Sequence, residues 1–317
     1  MNVAVLGAGA LGQPFGYHLS EGGADLTFVV KEKYREETEE GFTLHRHHML
    51  GATEALEFDD FDVVVDYDRL GEQEWDQLWL CVSSPAIRGE WIEELLEAVG
   101  ETTLVSIQPG IDDREYLEER YPAERIVSGR VSMIAYPTPL PGEDLPEGDI
   151  AYFLPPGERI WLGGEAERAG MVAEVLEAGG CPSGVREDLR EYMLFSGALL
   201  ETVVAGLEVA GWSLKGFRQH EIFEVALQAG REARDVVAAR FDTTPPLSMK
   251  LAGGSLTMRL GLMLAPGVMP FDLEAYLERH FTKVSDQTRE ELEAFIESGR
   301  SEGLEVEALE QLRASLD

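Results

Sequence analysis

The N-terminal half of the chain alternates short apolar runs with segments of helical periodicity. Apolar runs of strand length occupy residues 2–6, 26–30, 77–82, 103–107 and 125–127. The segment 86–99 repeats apolar residues every three to four positions, which is the spacing of an amphipathic helix. Strands that alternate with helices indicate parallel strands joined by helical crossovers, so this half is predicted to be α/β with a doubly wound sheet.

A β-rich segment with many turns follows. Residues 131–136, 150–154 and 159–162 are predicted strands, and a proline-rich loop separates the first two. We expect these strands to form a meander that extends the same sheet. A predicted helix at 167–178 closes this first domain, which we assign to residues 1–184.

Beyond residue 184 the strand pattern stops and only helical patterns remain. Predicted helices cover residues 186–210, 218–240, 255–264, 272–298 and 305–316. Residues 185–317 are therefore predicted to be an all-helical C-terminal domain that binds substrate or mediates dimerisation, with the helix from Arg186 as its spine.

The charge balance excludes several classes of partner. The chain of 317 residues carries 26 Lys and Arg against 60 Asp and Glu, a net charge of −34. Such an acidic protein repels nucleic acids and anionic membranes. We see no apolar run of membrane-spanning length and no signal peptide, so we expect no membrane partner. The two cysteines, Cys81 and Cys181, suit a reducing compartment, and we expect a cytoplasmic protein with no metal site.

A glycine-rich turn directly follows the first predicted strand. Its residues are Gly7, Ala8, Gly9, Ala10, Leu11 and Gly12. A helix is predicted from Gln13, so G-x-G-x-x-G stands in the strand–turn–helix context of a Rossmann-type dinucleotide-binding fold. The free N–H groups and the dipole at the start of that helix favour the negative charge of a pyrophosphate. We therefore predict that these six residues contact a dinucleotide.

The end of the second predicted strand indicates which dinucleotide is bound. NAD-binding folds place an acidic residue there, about 20 residues after the glycines, to bind the ribose 2′-hydroxyl. This chain has Val30-Lys31 at that position, and a cation suits a 2′-phosphate instead. The prediction is NADP, with a solvated loop containing Lys31 and Lys33 as the alternative.

Polar residues after two later strands extend the predicted cofactor site. Ser83 and Ser84 follow one buried strand, and Gln108 and Gly110 follow the next. Ligands of open α/β sheets lie at the carboxyl ends of the strands. Ser83, Gln108 and Gly110 are accordingly predicted cofactor contacts, with ordinary turn chemistry as the alternative.

Three histidines stand close together at His45, His47 and His48. Three imidazoles suggest a metal site, but no acidic or cysteine partner stands at ligand spacing from them. The stretch is therefore predicted to be an exposed strand or hairpin.

These features together resemble the ketopantoate reductase (2-dehydropantoate 2-reductase) family. The resemblance is carried by GAGALG at the N-terminus, the cation Lys31, IVSGRVSMIAY at 126–136, IWLGG at 160–164 and the helical second domain. It implies that NADPH delivers hydride to the 2-oxo group of ketopantoate. It also implies a lysine on the first long C-terminal helix that protonates or polarises the carbonyl oxygen.

The chain departs from this family where the lysine is expected. The helix reads EYMLFSGALLE from Glu191, which places Phe195 at or near the lysine position with no asparagine after it. A carbonyl reductase needs a positioned cation or acid to stabilise the developing alkoxide. The substrate is therefore predicted more broadly as a small 2-oxo or 2-hydroxy acid.

Other residues of the second domain are candidates for the catalytic and substrate-binding roles. His280 and Lys283 are three positions apart and share one face of a predicted helix, while Lys250 follows a Pro-Pro turn. These three are predicted catalytic groups, although a solvated helix face is an alternative interpretation of His280 and Lys283. Asp272 and Glu274 roughly match the place of a substrate-binding glutamate in the family, and the resemblance implies that role for them.

The leading hypothesis is an NADP-dependent oxidoreductase that transfers hydride to a small 2-oxo acid. A second is a nucleotide-binding relative without turnover, acting as a sensor or partner-binding protein, which the missing lysine motivates. A third is an opine-type hydroxyacid dehydrogenase that uses a histidine such as His280. The helical domain is also a candidate site for the formation of a homodimer.

Overall fold

The structure, a computed structural model, describes residues 1–317 apart from the side chains of Ser248 and Lys250. It divides into two compact units. Unit 1 comprises Met1–Gln108 and Asp113–Leu189, and unit 2 comprises Pro109–Asp112 and Arg190–Asp317. The predicted fold class, a Rossmann-type sheet followed by a helical region, is confirmed. The functional domain limits 1–184 and 185–317 stay a prediction.

The strands of the protein lie in unit 1. In chain order they are β1 Asn2–Leu6, β2 Asp25–Val29, β3 Phe42–Arg46, β4 Glu54–Phe58, β5 Asp62–Val64, β6 Gln77–Leu80, β7 Thr103–Ser106, β8 Ile126–Arg130, β9 Ile134–Pro137, β10 Ile150–Phe153, β11 Ile160–Gly163 and β12 Ser183–Val185.

The helices follow the same order along the chain. Those of unit 1 are α1 Gly12–Glu21, α2 Arg35–Glu39, α3 Tyr67–Leu70, α4 Trp91–Val99, α5 Asp113–Glu118 and α6 Ala166–Ala178. The others are α7 Leu189–Val209, α8 Leu214–Gln219, α9 Ile222–Arg240, α10 Leu247–Ala252, α11 Ser255–Leu264, α12 Leu273–Lys283, α13 Ser285–Ser301 and α14 Glu307–Ala314.

The main sheet has the strand order β12-β11-β8-β7-β6-β1-β2-β5. Strands β8, β7, β6, β1, β2 and β5 are parallel, while β11 is antiparallel to β8 and parallel to β12. From β1 the chain continues to β2 on one side and returns to β6 on the other. The order therefore reverses at β1, and the carboxyl ends of β1 and β6 form the topological switch point where open sheets bind ligands.

Alternate residues of the central strands lie on opposite faces of this sheet. Val3 and Val5 of β1 pack with Phe15 of α1 in one core, whereas Ala4 and Leu6 pack on the opposite side with Leu95 of α4. All of these side chains are buried. A strand covered by helices on both faces is apolar throughout, which explains why NVAVL is an unbroken apolar run.

Two expectations about the β-rich segment were wrong. β9 and β10 do not extend the main sheet; they belong to a second sheet of order β4-β3-β10-β9, and β11 alone of the three predicted strands joins the main sheet. The expectation that no strand extends beyond residue 184 fails by one residue, because β12 ends at Val185 and pairs in parallel with β11. A parallel pair needs a long crossover, and α6 supplies it, so the periodicity of either segment alone did not indicate the pairing.

In unit 2 two predicted helices are each divided. Residues 218–240 separate into α8 and α9 around His220, whose extended backbone has φ −79° and ψ 148°. Residues 272–298 separate into α12 and α13 at Val284, with φ −113° and ψ 24°. Glu232 of α9 accepts hydrogen bonds from the N–H groups of Ala308 and Leu309 at 3.0 Å, which caps α14 and fixes it on α9.

Helix α7 is long and apolar enough to cross a membrane, which the sequence analysis did not anticipate. Within its apolar window 56% of the residues are buried inside the protein. The core helix of a soluble protein passes the same test of length and composition, so the finding is weak evidence for a membrane span.

Candidate active site

The glycine-rich turn lies at the carboxyl end of β1, at the topological switch point. Its first residue, Gly7, donates its N–H to Val29 O at 3.0 Å, which ties the turn to the end of β2. Gln13 donates its side-chain Nε2–H to Ala8 O at 3.0 Å and closes the turn from the helix side. The turn is thus held between two strands and a helix.

The three glycines of the motif differ in what an added side chain would contact. Gly7 has φ +97°, and a Cβ there would lie 2.9 Å from Cys81 O of the neighbouring strand end. A Cβ on Gly12 would lie 1.8 Å from Gly7 O, so the helix can approach the strand only without a side chain. A Cβ on Gly9 would meet nothing within 4 Å. The fold itself therefore requires Gly7 and Gly12, whereas the space beside Gly9 is open.

Open space beside Gly9 fits a pyrophosphate that approaches the backbone. Helix α1 begins at Gly12 and has no acidic residue in its first turn, so its N-terminal dipole is not neutralised by the protein. The residues present therefore fit a bound dinucleotide.

Lys31 follows β2 directly, where the ribose of a dinucleotide is recognised. Its side chain is exposed and makes no hydrogen bond or ion pair with the residues that the structure describes. Lys33 instead places its ammonium 4.5 Å from the centre of the Tyr34 ring. Lys31 is thus the less engaged of the two cations.

The other predicted cofactor residues differ in whether they already make hydrogen bonds within the protein. Ser83 is exposed and its carbonyl accepts from Ala86 N at 3.0 Å in a tight turn. Gln108 is buried and donates from Nε2 to both Leu80 O and Val82 O at 2.7 Å, so its amide ties two strand ends together. Gly110 belongs to unit 2 rather than unit 1. Their cofactor contacts stay predictions.

A buried polar cluster beside these residues escaped the sequence analysis. Asp113, 1% exposed, accepts from Ser84 Oγ at 2.6 Å and pairs with Arg88 Nη1 at 2.7 Å. Arg88 also donates to Ser84 O at 2.7 Å, which fixes the turn after β6 to the start of α5. Ser84 and Arg88 are four positions apart, but Asp113 lies 25 positions after Arg88, and no local pattern links it to them.

The histidine cluster is engaged in side-chain contacts of the second sheet. His45 Nε2 lies 2.8 Å from Asp149 Oδ2, and His47 Nε2 lies 2.8 Å from Tyr136 OH. Burial lowers the pKa of His47. These contacts stabilise β3 within its sheet.

Helix α7 carries Phe195 at the position where the resembling family has its lysine. The Phe195 side chain is 1% exposed, so it is part of the core of unit 2. Six positions further along this helix, Glu201 is 6% exposed, and burial raises the pKa of its carboxyl to about 7. Its Oε2 has no hydrogen-bond partner, while Thr288 donates a hydrogen bond to the carboxylate.

The predicted residues on α12 lie at its two ends. Asp272 caps the helix by accepting from Ala275 N at 3.1 Å, and Glu274 accepts from Leu214 N at 2.6 Å. At the other end His280 stacks on Tyr276 with ring centres 5.3 Å apart, and Lys283 is exposed. Burial, with Lys283 as a second cause, lowers the pKa of His280.

The structure thus brings His280 and Lys283 near each other and engages Asp272 and Glu274 with backbone N–H groups. Lys250 belongs to α10, and its side chain lies outside the described residues. The catalytic and substrate-binding roles of these five residues stay predictions.

Two arginines of α9 were not among the site residues predicted from the sequence. Arg231 and Arg234 line a narrow pocket of unit 2 together with Phe195, Leu199 and Met249. Their spacing of three positions, which puts both on one helix face, was the available signal.

Comparison with known proteins agrees with this geometry. Residues 3–139 match the model of the family described as ketopantoate reductase PanE/ApbA. No curated protein matches the chain.

Solved structures match over nearly the whole chain. A PanE/ApbA family ketopantoate reductase from Ralstonia eutropha JMP134 is 16% identical with a TM-score of 0.77, and the match covers 100% of this chain and 97% of that one. D-mandelate dehydrogenase, solved with NADH and anilino(oxo)acetate, is 14% identical with a TM-score of 0.73 and the same coverage. 2-Dehydropantoate 2-reductase from Methylococcus capsulatus is 20% identical with a TM-score of 0.69, covering 99% and 95%.

The fold and the glycine turn define an α/β protein with a Rossmann-type sheet, and the proteins named among its structural matches are oxidoreductases. Within that class the chain resembles the ketopantoate reductase family, as its sequence indicated, with the family match spanning residues 3–139.

Proposed function

We propose that the protein is an NADP-dependent oxidoreductase that transfers hydride between the nicotinamide and the oxo carbon of a small 2-oxo acid. The observation that carries the proposal is the open space beside Gly9 at the start of α1, in a turn where a side chain on Gly7 or Gly12 would collide with the backbone. Bound NADPH would supply the hydride. The chain would orient it by the backbone N–H groups of the turn and by the exposed Lys31 near the ribose.

The substrate class rests on resemblance as well as geometry. Ketopantoate reductases and D-mandelate dehydrogenase are among the proteins with this fold, and the latter was solved with an oxo acid. We propose a small 2-oxo or 2-hydroxy acid as substrate, with Lys283, His280 or Lys250 as the acid and Asp272 or Glu274 near the substrate. A cytoplasmic location belongs to the same proposal, supported by two free cysteines.

A second candidate is a nucleotide-binding protein without turnover. The buried Phe195 at the expected lysine position favours it, because an apolar core residue cannot stabilise an alkoxide. An opine-type dehydrogenase using His280 is the third, favoured by the lowered pKa of that imidazole, which suits a base that takes the proton of a hydroxy acid in the reverse, oxidative direction.

NADPH oxidation with a panel of 2-oxo acids, ketopantoate and benzoylformate among them, tests the proposal. We expect turnover of at least one acid by the wild type, and a loss of about 10²-fold or more in the variant that removes the true acid. The variants are Lys283→Ala, Lys250→Ala and His280→Ala. NADPH binding without turnover of any acid would favour the second candidate.

A further inference from the structure

Arginines of unit 2 are mostly engaged with carboxylates, as the excess of acidic residues predicts. Close pairs within this unit are Arg240–Asp112 at 2.6 Å, Arg289–Glu208 at 2.7 Å and Arg313–Glu293 at 2.8 Å. With 26 cations against 60 acids, a cation has many potential partners.

Arg234 is an exception to this rule. Its side chain is 17% exposed, and its nearest carboxylate, Asp235, lies 4.0 Å from Nε. Nε is buried without a hydrogen-bond partner, and the guanidinium makes no hydrogen bond with the residues that the structure describes. A guanidinium N–H that is buried without a hydrogen-bond partner is unfavourable, since it loses hydration and gains nothing in return.

The pocket around Arg234 is apolar apart from a second arginine. Phe195, Leu199, Leu227 and Met249 line it, and Arg231 completes the polar part. Arg231 donates from Nε to Gln228 Oε1 at 2.9 Å, which holds its guanidinium in place. No carboxylate is among the lining residues, so the positive charge of the pocket is not neutralised from within.

We propose that Arg234, assisted by Arg231, binds the carboxylate of a small monocarboxylic acid with an apolar substituent. This inference rests on the proposed function and names the group that holds its substrate. A carboxylate would accept two hydrogen bonds from the planar guanidinium, and the low-polarity surroundings strengthen that interaction. The pocket has room for about one water-sized group, so it would admit one oxygen of the carboxylate, and the rest of the acid would lie outside it.

Gly253 gives access to this pocket. A Cβ on Gly253 would lie 3.8 Å from Arg234 Nη1 and meets nothing closer than Met249 O at 3.6 Å. Gly253 also has φ −74°, which any residue can adopt. A larger side chain there is therefore compatible with the backbone and would project toward the guanidinium.

Binding of 2-oxoisovalerate and of its neutral methyl ester to NADPH-loaded protein, measured by calorimetry, tests the inference. In Arg234→Gln we expect the acid to bind at least 10-fold more weakly, the ester to be unaffected, and NADPH affinity to be unchanged. Arg234→Lys should restore part of the binding, and Gly253→Leu should block it without removing charge. Arg300→Gln, a charge-matched change at a 62% exposed side chain, should bind as wild type.

Two outcomes would overturn the inference. Equal binding of the acid by wild type and Arg234→Gln would remove the role of Arg234 while leaving the proposed function intact if turnover persists. Equal affinity of the wild type for acid and ester would show that no carboxylate is recognised. Failure of NADPH binding in the wild type would count against the proposed function, and the acid titration would then be read on the apoprotein with the same variants.

A different observation concerns a segment without acidic residues. Positions 243–271 contain no Asp or Glu, although 60 of the 317 residues of the chain are acidic. The segment includes α10 and α11, and no residue of α11 is buried. Its exposed apolar residues, with exposed fractions, are Leu247 72%, Leu251 62%, Leu256 73%, Leu260 46%, Met263 50%, Leu264 62% and Val268 49%.

We infer that this surface, the exposed apolar residues of 247–268, binds the same surface of a second copy of the chain. Two molecules that each carry −34 repel, and a face without carboxylates is where two copies can approach most closely. Its seven large apolar side chains are each 46–73% exposed, and each partner of a stable interface contributes about 800 Å². A two-fold interface is self-complementary, so one patch suffices for a closed dimer.

Light scattering coupled to size exclusion, from 50 mM to 1 M NaCl, tests this second inference. We expect twice the mass of the 35.1 kDa chain, with tighter association at high salt because screening weakens repulsion. Leu256→Glu with Leu260→Glu should give monomers, and Met171→Glu, a 41% exposed apolar residue of unit 1, should not. A wild-type monomer at 100 µM in every salt, or monomers that sediment with phosphatidylcholine vesicles, would overturn it.

Discussion

The glycine turn after β1 and the start of helix α7 are the two regions expected to carry cofactor and chemistry, and they differ sharply. In the turn, Gly7 and Gly12 meet steric requirements of the fold, and Gly9 leaves open space. In α7, the residue at the expected lysine position, Phe195, is buried in an apolar core. The first region leaves open space beside its backbone, and the second is filled by a packed apolar side chain.

This difference shows that binding and chemistry are separable within the fold. A dinucleotide site needs backbone N–H groups and close approach, which one strand–turn–helix segment provides. A catalytic cation needs a position relative to the substrate, and several helices can supply it. Arg234 on α9 lines the same pocket as Phe195, so a cation stands opposite the α7 face that lacks one.

The largest expected effect comes from Gly12→Ala. The added Cβ would lie 1.8 Å from Gly7 O, so the helix must move away from the strand. We expect a loss of roughly 3–5 kcal/mol in the free energy of unfolding, measured by chemical denaturation, together with loss of NADPH binding. Unchanged stability would mean that the turn does not constrain the fold as described.

Gly9→Ala separates ligand binding from folding in the same turn. Its Cβ meets no protein atom within 4 Å, so the melting temperature should stay within about 1 °C of wild type. NADPH affinity should fall by about 10–100-fold, because the methyl group occupies the space left for the pyrophosphate. Fluorescence titration with NADPH checks this, and full affinity would remove the assignment of that space.

Glu201→Gln probes the apolar character of α7. Burial raises the pKa of the Glu201 carboxyl to about 7, whereas it is near its ordinary value of 4.5 in the unfolded chain. The raised folded-state pKa means that the wild type loses stability as the pH rises from about 4.5 to about 7, because only the unfolded chain ionises freely there. The variant should be more stable than wild type by on the order of 1–3 kcal/mol at pH 8 and about equal at pH 4.5.

Thermal unfolding of both proteins across pH 4.5–8 measures that difference. Glu302→Gln, at an exposed position, is the control and should track the wild type at every pH. A stability difference between Glu201→Gln and wild type that does not change with pH would contradict the assigned cause.

The smallest expected effect is that of Lys31→Glu on cofactor choice. The exposed Lys31 is expected to pair with the 2′-phosphate, so NADPH should bind about 10-fold more weakly and NADH should be spared. Lys33→Glu, whose ammonium lies over the Tyr34 ring, is the matched control. Equal weakening of both cofactors by Lys31→Glu would remove the argument for NADP.

Much of unit 1 could be predicted because its signals are local. The turn and helix after β1 follow from residues within one short segment, and the buried strands are unbroken apolar runs such as Gln77–Leu80. The second sheet could not be predicted, because β3 and β10 pair across a separation of about 100 residues that no periodicity records.

The polar clusters of the candidate site were still harder to predict from the sequence. Asp113, Ser84 and Arg88 meet only because α5 and the turn after β6 are adjacent in space. Asp272 and Glu274 were candidates for substrate binding because they roughly match the place of a glutamate in the resembling family, and their bonds to backbone N–H groups depend on where helices begin.

The sequence by itself determined the dinucleotide turn, the order of sheet and helices, and the acidic surface with its one long acid-free segment. Each of these features depends on neighbouring residues or on amino-acid composition, and both can be read directly from the sequence. Only the tertiary structure decided which cations are paired and which are not, because pairing depends on distances between helices. Arg234 is indistinguishable from other arginines in the sequence, and the burial of its Nε without a hydrogen-bond partner exists only in the folded unit.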